Sequence, residues 1–517
     1  DQDIQDIIEK EYLKDKYIQK ATGKYAQKGD HTQSAMVIID HKTGQVVGEV
    51  GGLGDDTPTY GTNRASNLNK QPGSAIKPLA AIAPGLENNV ITAATVYDDS
   101  PTKFGTDEFG NSTGYPGLIT VRNAICRSSN VVNIKILLNV GLDTSIDFLN
   151  EIGLTNFTHE EDAIPTLVLG GSTNGTSPLQ MAAAYAMIAR GGEYIEPTYY
   201  TKVEDSNGNV ILEPEQETKR IMTEGNAYVL SSILKAPVEE YPGTARDCAI
   251  SGMDVAAKTG TTSSFYNYWL CGFTPYYSAA TWYGYDYDES VYGGNYAKTI
   301  WAAVMKEVHE DLEGKRFEKP SNIVTAKICM DSGRAATDEC TRTYTEVFVS
   351  GTVPGKCDGH KTVKVCKETG KLATEYCPET EEKTYLSTPE KEVNPSWKTS
   401  VGNKYKEIKD TCDKHTEATM TLTVADVIGK TESEARQLLS GLTIKIVYEN
   451  DSTKTDGVVL TQSLAKGSKA KKGDTITLTV NKIEEIPPEE PTNDVEPPID
   501  SNTIDTPSNI IGGNSVV

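Results

Sequence analysis

The stretch Gln71-Pro-Gly-Ser-Ala-Ile-Lys-Pro78 places a serine and a lysine three residues apart at the start of an apolar run. If the run is helical, Lys77 follows Ser74 by one turn on the same face, and its amine comes near the serine hydroxyl. Pro78 is tolerated there because the first backbone donors of a helix lack intrahelical partners. A serine hydroxyl is a poor nucleophile unless a neighbouring base accepts its proton, so this pair is a candidate catalytic site.

The pattern Ser-x-x-Lys is weak evidence by itself, because it recurs at Ser100, Ser232, Ser463 and Ser468. Two more motifs follow Ser74 in the chain, Ser128-Ser-Asn130 and Lys258-Thr-Gly-Thr261, and each has a second copy elsewhere, at Ser172-Thr-Asn174 and Lys42-Thr-Gly44. Only the ordered combination of all three motifs is informative.

Strand patterns lie on both sides of this helical stretch. Residues 35–50 read as two strands around His41-Lys-Thr-Gly44, which predicts a hairpin. Residues 73–192 show mainly helical periodicity, whereas 266–285 is rich in aromatic strand formers and precedes a closing helix at 300–308. Helices inserted within an antiparallel sheet predict an α+β fold.

The three motifs in this order resemble the signature of serine penicillin-binding proteins and related β-lactamases. Asn63-Arg-Ala, Ser177-Pro-Leu-Gln-Met-Ala-Ala-Ala-Tyr185 and Lys258-Thr-Gly-Thr-Thr262 are similar to the bifunctional, class A penicillin-binding proteins in particular. The likeness covers roughly residues 34–310, which is the size of a domain. It implies an antiparallel sheet with a helical insertion.

The resemblance implies a serine D,D-transpeptidase in which Ser74 forms the acyl-enzyme and Lys77 is the base. Burial and the second cation, Lys258, would both lower the pKa of Lys77 towards the neutral amine. The backbone N–H groups of Ser74 and Thr261 are implied as the oxyanion hole.

The same resemblance gives Ser128 the transfer of a proton to the leaving D-Ala, and Asn130 the orientation of the substrate amide and of Lys77. A cation with two hydroxyls suits the terminal carboxylate of the substrate. The implied substrate-binding residues are Asn130, Lys258, Thr259, Gly260 and Thr261.

The implied partners are peptidoglycan stem peptides, with a D-Ala-D-Ala donor and an amine acceptor, and the β-lactams that mimic the donor. No cofactor and no metal is expected. A cell-wall polymer is a further expected partner of residues 418–482, which are similar to a PASTA domain.

The chain is predicted to divide into five parts: a connecting helix from a missing upstream glycosyltransferase domain at 1–33, the transpeptidase domain at 34–318, a cysteine-repeat linker at 319–415, a small α+β PASTA domain at 416–482, and an acidic, Pro-rich disordered tail at 483–517. No glycosyltransferase motif is recognised.

The net charge of −23 and the pI near 4.8 disfavour binding to nucleic acid, because an acidic surface repels phosphates. No run approaches the roughly 18 apolar residues of a membrane-spanning helix. The expected location is the extracytoplasmic face of the membrane, with an N-terminal anchor that is absent from this chain.

Six of the nine cysteines lie in two similar copies and their continuation, with Cys329-Met-Asp-Ser-Gly-Arg-Ala-Ala-Thr-Asp-Glu-Cys340 matching Cys366-Lys-Glu-Thr-Gly-Lys-Leu-Ala-Thr-Glu-Tyr-Cys377. The lack of a Cys-x-x-Cys pair argues against a zinc ribbon. One disulfide per copy is expected for an extracytoplasmic chain, with reduced thiols as the alternative.

Other cysteines and the histidines are assigned no chemistry. Cys126 and Cys271 are predicted to be buried packing residues. His309, His360 and His415 are widely separated in sequence, which predicts no metal site.

Three alternatives remain. A β-lactamase needs a base that activates water, and no convincing Glu-x-x-Leu-Asn element occurs between Ser128 and Lys258, because Ile146 stands where the glutamate of Leu149-Asn150 would be. A D,D-carboxypeptidase shares all three motifs and differs only in accepting water. A binding protein that senses β-lactam or cell-wall polymer without turnover is the alternative from another class.

Overall fold

The computed structural model of this 517-residue chain describes residues 1–22, 30–55, 61–214, 216–386 and 407–483. It forms two compact units, one made of Asp1–Lys364 with Glu381–Lys409 and the other of Val365–Thr380 with Asp410–Val517. The predicted disordered tail lies outside the described residues from 484 onwards.

The α-helices of the described residues up to 386 are α1 (Gln2–Tyr12), α2 (Arg64–Asn67), α3 (Ala83–Glu87), α4 (Val121–Arg127), α5 (Asn130–Val140), α6 (Leu142–Glu151), α7 (His159–Asp162), α8 (Pro178–Ala189), α9 (Glu224–Glu239) and α10 (Tyr296–Val308). The strands over the same range are β1 (Gln33–Asp40), β2 (Gln45–Val50), β3 (Val96–Asp99), β4 (Lys103–Phe104), β5 (Asp107–Glu108), β6 (Gly117–Thr120), β7 (Glu193–Ile195), β8 (Val203–Glu204), β9 (Val210–Leu212), β10 (Thr218–Arg220), β11 (Ala256–Thr261), β12 (Asn267–Phe273), β13 (Tyr277–Gly284), β14 (Ile323–Cys329), β15 (Thr343–Val349), β16 (His360–Cys366) and β17 (Thr380–Leu386).

A five-stranded antiparallel sheet with the order β11-β12-β13-β1-β2 organises the first unit. The predicted hairpin is confirmed, because β1 pairs with β2 on one side and with β13 on the other. The α-helices between residues 83 and 239 are inserted in the sequence between β2 and β11. This arrangement confirms the α+β fold.

Both faces of the inner strand β1 are buried, and successive side chains of a strand point to opposite faces. Ala35, Val37 and Ile39 belong to the larger hydrophobic cluster, whereas Met36 and Ile38 belong to a second one. Helix α8 packs on the strands β1, β12 and β13, while α10 also packs on β12 and β13 and α1 packs on β2.

Helix α1 is shorter than the predicted connecting helix. Ile4, Ile8 and Tyr12 form its buried face, and the α-helix ends at Tyr12. Lys20 pairs with His31 in an isolated antiparallel β-bridge. Gly48 permits close packing, since a methyl group there would lie 2.6 Å from Ile8 Cδ1.

The segment predicted as a linker begins with regular structure. Strands β14 and β15 form an antiparallel hairpin, and the carboxylate of Glu346 on β15 binds the guanidinium of Arg122 on α4 through two hydrogen bonds. Both groups are largely buried, with side-chain exposures of 1% and 12%. The hairpin is therefore part of the first unit rather than a free connection.

The expected disulfides are absent among the nine cysteines and the alternative of reduced thiols is the one observed, while His360 and His415, but not His309, lie next to cysteines. All nine cysteines are free thiols. Cys329, Cys340, Cys357 and His360 converge, as do Cys366, Cys377, Cys412 and His415, with the four ligand atoms of each set within 4.8 Å of one another. Each cysteine pair therefore meets a third cysteine and a histidine, which the spacing of the pairs alone does not reveal.

The described part of the second unit contains α11 (Glu417–Met420), β18 (Thr421–Thr423), α12 (Glu432–Leu438), β19 (Thr443–Glu449), β20 (Val459–Gln462), β21 (Lys469–Lys471) and β22 (Thr475–Asn481). The predicted capping box is present: Thr431 and Glu434 each accept from the other's backbone N–H at the start of α12. Ala435 and Leu439 pack with residues of β22 in a small core.

No helix in the described parts of the chain combines the length and the apolar character needed to cross a membrane.

Candidate active site

Ser74 lies in a tight turn rather than in a regular α-helix. Gly73–Ile76 is a 3₁₀ segment and Pro78–Ile82 is a π-helical segment that continues into α3. Pro78 has no backbone N–H to donate to Ser74 O, so the regular helical hydrogen bond is missing at this junction. Two hydrogen bonds hold the turn, from Trp269 Nε1 to Gln71 O at 2.9 Å and from the Tyr185 hydroxyl to Ala75 O at 2.8 Å.

The edge strand β11 lies directly against this turn. A methyl group on Gly73 would be 2.6 Å from Thr261 O, and one on Gly260 would be 2.3 Å from Pro72 O. Both positions therefore need glycine, and Gly73 also has φ +54°. The Lys258-Thr-Gly-Thr261 motif and the serine turn meet only because neither glycine has a side chain.

The backbone N–H of Thr261 points away from the sheet. Thr262 N–H donates to Asn267 O on the β12 side, and successive N–H groups of a strand alternate in direction. Ser74 N–H belongs to the first residues of its 3₁₀ segment, whose donors lack helical partners. Neither N–H is therefore used within its own segment, and the oxyanion role of this pair stays a prediction.

Two lysine amines converge on the Ser128 hydroxyl. Lys77 Nζ lies 3.3 Å and Lys258 Nζ 2.8 Å from Ser128 Oγ. Ser128 ends helix α4 with φ 58° in the left-handed region, which turns its side chain out of the helix. Lys77 also donates to Ser128 O at 2.7 Å and to Asn130 Oδ1 at 2.7 Å.

Both amines are completely buried, which sets their protonation. Burial lowers the pKa of Lys77 well below its usual range, and the charge of Lys258 lowers it further, while Asp99 opposes the change. Burial lowers the pKa of Lys258 to about 7. The neutral form of Lys258 is therefore accessible near neutral pH, and burial favours the neutral form of Lys77 compared with an exposed lysine. A neutral amine can accept a proton.

A loop that carries no recognisable motif holds Asn130. The backbone N–H of Asn130 donates to Asn111 Oδ1 at 2.7 Å, and its side-chain amide donates to Gly110 O at 2.6 Å. Asn111 and Ser129 both donate to Asp99 Oδ1 on β3. The sequence reasoning missed Asn111, Gly110 and Asp99, because loop contacts of this kind have no sequence signature.

The remaining predicted residues are placed as follows. The Thr259 hydroxyl donates to Thr244 Oγ1 at 2.9 Å, a partner that the sequence does not indicate. The Ser74 side chain is partly exposed, and its hydroxyl makes no hydrogen bond to any of the described residues. The expected approach of the Lys77 amine to this hydroxyl is therefore not a hydrogen bond, and Lys77 instead donates to Ser128 and Asn130.

The other singled-out residues have packing roles. Cys126 and Cys271 are fully buried, and burial raises the pKa of the Cys126 thiol to about 11, which keeps it protonated. His309 bonds Thr274 Oγ1 at 2.8 Å and Met305 O at 2.7 Å inside the fold.

Comparison with known proteins gives three family matches along the chain. The penicillin binding protein transpeptidase domain matches residues 34–308, the C-terminal domain of penicillin-binding protein 1A matches 319–361, and the PASTA domain matches 422–482. The order of these matches follows the order of the folded parts described above.

Curated relatives include penicillin-binding protein 1A of Clostridium botulinum, 38% identical over 349 residues and 63% of this chain, and penicillin-binding protein 1A/1B of Bacillus subtilis, 31% identical over 62% of this chain. This chain spans 42% and 37% of the lengths of those relatives. The crystal structure of penicillin-binding protein 1A from Haemophilus influenzae superposes with a TM-score of 0.54 and 28% identity, covering 62% of this chain and 54% of that one.

The transpeptidase match covers the sheet, the serine turn and both lysine-bearing segments, and it extends over more than half of the chain. This chain therefore belongs to the penicillin-binding protein transpeptidase family.

Proposed function

We propose that this chain is a serine D,D-transpeptidase that cross-links peptidoglycan stem peptides through an acyl-enzyme on Ser74 and is acylated by β-lactams. The observation that carries the proposal is the convergence of two buried lysine amines on the Ser128 hydroxyl, one of them from Lys77, which follows Ser74 by three residues. Buried amines without carboxylate partners are costly to the fold, so two of them at one hydroxyl favour a chemical role.

In the acylation step, Ser74 Oγ attacks the carbonyl carbon of the penultimate D-Ala, and the neutral amine of Lys77 accepts the serine proton. The lowered pKa of Lys77 supports this role, because a base must be unprotonated before the attack. The negative charge that develops on the carbonyl oxygen is placed between the N–H groups of Ser74 and Thr261.

In the same step the peptide C–N bond breaks and the terminal D-Ala leaves as an amine. Its nitrogen needs a proton, which Ser128 passes on from Lys77, since Ser128 Oγ lies within hydrogen-bond reach of that amine. The protonated form of Lys258 holds the terminal carboxylate together with the Thr261 hydroxyl and the Thr259 hydroxyl, which exchanges its Thr244 partner for the substrate. Asn130 has an amide N–H for the substrate and keeps its oxygen on Lys77.

In the second step an amine of a neighbouring stem peptide attacks the acyl-enzyme, forms the cross-link amide and returns the proton to Ser74 through Lys77. No cofactor is consumed, because the energy of the broken peptide bond is carried in the ester. A β-lactam follows the first step only, since its opened ring stays attached and blocks the acceptor amine.

The domains of the chain and its location form the second part of the proposal. Residues 34–318 carry the reaction, and 416–482 form a PASTA domain that we propose contacts cell-wall polymer. The substrate lies outside the cell membrane, so the chain is placed on the extracytoplasmic face, with the anchor supplied by a preceding segment.

A donor peptide ending in D-Ala-D-Ala, incubated with the chain and a labelled amine acceptor, tests the proposal by separating the products. We expect D-Ala release coupled to a cross-linked amide, and no reaction with Ser74→Ala. The variant Ser468→Ala is the matched control, because Ser468-Lys-Ala-Lys471 repeats the motif in the second unit.

The products distinguish the alternatives. Hydrolysed donor without cross-link, even at high acceptor concentration, would identify a carboxypeptidase. Rapid release of hydrolysed penicillin would identify a β-lactamase, and a stable penicillin adduct with no peptide turnover would identify a binding protein. Each of these three results would overturn the transpeptidase assignment.

A further inference from the structure

We propose that the two cysteine copies are structural zinc sites, each binding one Zn²⁺ through three cysteine sulfurs and one histidine nitrogen. The first site consists of Cys329, Cys340, Cys357 and His360, and the second consists of Cys366, Cys377, Cys412 and His415. Thiolate and imidazole ligands in a set of four are what tetrahedral Zn²⁺ prefers in proteins.

The first site has the dimensions of a metal centre. The three sulfurs lie at 3.6, 3.6 and 3.4 Å from His360 Nδ1. On tetrahedral Zn²⁺, bonds of about 2.3 Å to sulfur and about 2.0–2.1 Å to nitrogen put the two ligand atoms about 3.6 Å apart. The observed distances match this separation without any bond between the side chains.

The second site repeats the same geometry in the other unit. His415 Nδ1 lies 3.2 Å from Cys366 Sγ and 3.5 Å from Cys412 Sγ, and Cys377 completes the set within 4.8 Å. Two independent segments of the chain therefore reach the same arrangement with the same ligand types in the same order.

Each histidine is oriented by a carboxylate on its other nitrogen. His360 Nε2 lies 3.4 Å from Asp331 Oδ2, and His415 Nε2 lies 3.1 Å from Glu368 Oε2. Such a carboxylate fixes the ring so that Nδ1 faces the metal, as is common for metal-bound histidine. Asp331 and Glu368 occupy the same place in their copies, two residues after the first cysteine.

Further hydrogen bonds to sulfur recur between the copies. The backbone N–H of Thr337 donates to Cys340 Sγ and that of Thr374 donates to Cys377 Sγ, both at 3.3 Å. Donors directed at sulfur stabilise a thiolate, which is the form that binds a metal. A disulfide between the first two cysteines of a copy would leave the third cysteine and the histidine without this role.

The sequence that follows each cysteine pair contains the other two ligands. The copies continue to Cys357-Asp-Gly-His360 and Cys412-Asp-Lys-His415, so each contains a Cys-x-x-His element. A search for Cys-x-x-Cys alone overlooks it. All four positions of each site are filled by the protein, as in structural rather than catalytic zinc sites.

The test is the zinc content of the whole chain, purified with thiols kept reduced, loaded with Zn²⁺ and freed of unbound metal. We expect two zinc ions per chain by mass spectrometry of the metal, one in Cys357→Ser, one in Cys412→Ser and none in the double variant. The control is Cys248→Ser, which removes a buried free thiol outside both sites and should retain two.

Two further measurements keep the test decisive if a cysteine variant folds poorly. Replacing zinc with Co²⁺ should give the thiolate-to-metal charge-transfer absorption of a tetrahedral site. Asp331→Asn and Glu368→Gln keep all ligands, and each should weaken zinc binding about 10- to 100-fold at its own site only. Absence of bound zinc in the reduced, folded chain, or a Cys329–Cys340 disulfide in place of the metal, would overturn the proposal.

Discussion

The proposed catalytic site, hereafter the groove, and the cysteine copies are organised by different means. The groove consists of Ser74, Lys77, Ser128, Asn130 and Lys258. The groove lies against a large hydrophobic cluster, and its lysine amines are fixed by packing from many directions. The β14–β15 hairpin adds Ile323 to that large cluster, but its end next to the first copy packs in a small cluster of Ala94, Ile328 and Phe348. Packing positions the reactive groups in the first region, and the proposed metal replaces packing in the second.

This difference explains why unlike residues are needed in the two regions. A buried lysine is tolerated in the groove because the surrounding core outweighs its burial cost, and the same burial lowers its pKa for chemistry. A segment with a small core gains more from a bound metal than from a few additional apolar side chains. We therefore expect substitutions in the groove to act mainly on the acylation rate and substitutions in the copies to act mainly on zinc content.

The largest effect is expected for the nucleophile. Ser74→Ala should lower the rate of penicillin acylation at least about 10⁴-fold, because no other group can form the ester. Stopped-flow or time-resolved labelling with a fluorescent penicillin measures this rate. Ser468→Ala should leave it unchanged, and equal losses in the two variants would show that labelling does not depend on the groove.

A loss of about 10²-fold or more is expected for Gly73→Ala, because the added methyl would lie 2.6 Å from Thr261 O and push the turn away from β11. Gly208→Ala is the control, since Gly208 has φ +83° but no heavy atom within 4 Å of the added methyl. This control shows whether a lower rate comes from a side chain at positive φ or from the lost contact between the turn and β11. Normal acylation by Gly73→Ala would contradict the proposed oxyanion hole.

The second-order rate constant of acylation should fall by about tenfold per pH unit on each side of an optimum pH. As pH rises through about 7, Lys258 loses the charge that holds the carboxylate, and the second-order rate constant falls. As pH falls through the lowered pKa of Lys77, the base becomes protonated and the rate falls again.

Lys258→Arg sharpens this prediction, because arginine stays charged at these pH values and should abolish the alkaline decrease, whatever its absolute rate. Lys306→Arg, at an exposed position, should retain the wild-type profile. An alkaline decrease that persists in Lys258→Arg would assign it to another group.

The smallest effect is expected for the metal sites. Cys357→Ser should slow acylation by no more than about tenfold, because the first copy touches the groove only indirectly: a methyl on Gly333 would lie 2.4 Å from Ala94 O, just before β3 and Asp99. Cys412→Ser, whose site lies in the second unit, should leave acylation unchanged. Equal slowing by both variants would contradict the separation of the two regions.

Sequence reasoning predicted regular elements well and special local geometry poorly. The hairpin at 35–50 and the helix that contains residues 131–140 follow from periodicity, because burial on a sheet or a helix face dictates it. The 3₁₀ and π segments around Ser74 result from Pro78 and from tertiary contacts with β11, which periodicity does not report.

The groove shows the same division. The order of the motifs along the chain was enough to propose the motif residues, which are Ser74, Lys77, Ser128, Asn130 and the Lys258-Thr-Gly-Thr261 segment. The anchoring of Asn130 by Asn111 and of Thr259 by Thr244 could not, since single polar residues in loops carry no pattern. The two clusters of three cysteines and one histidine could not be predicted from the spacing of the cysteine pairs, because the third cysteine and the histidine lie outside each pair.

Peptide mapping of the penicillin adduct after complete labelling tests most directly whether Ser74 is the nucleophile. We expect one penicilloyl group per chain, on the peptide that contains Ser74, in the zinc-loaded and the chelated protein alike. An adduct on Ser128, or on any serine outside the turn between Gly73 and Ile76, would contradict it.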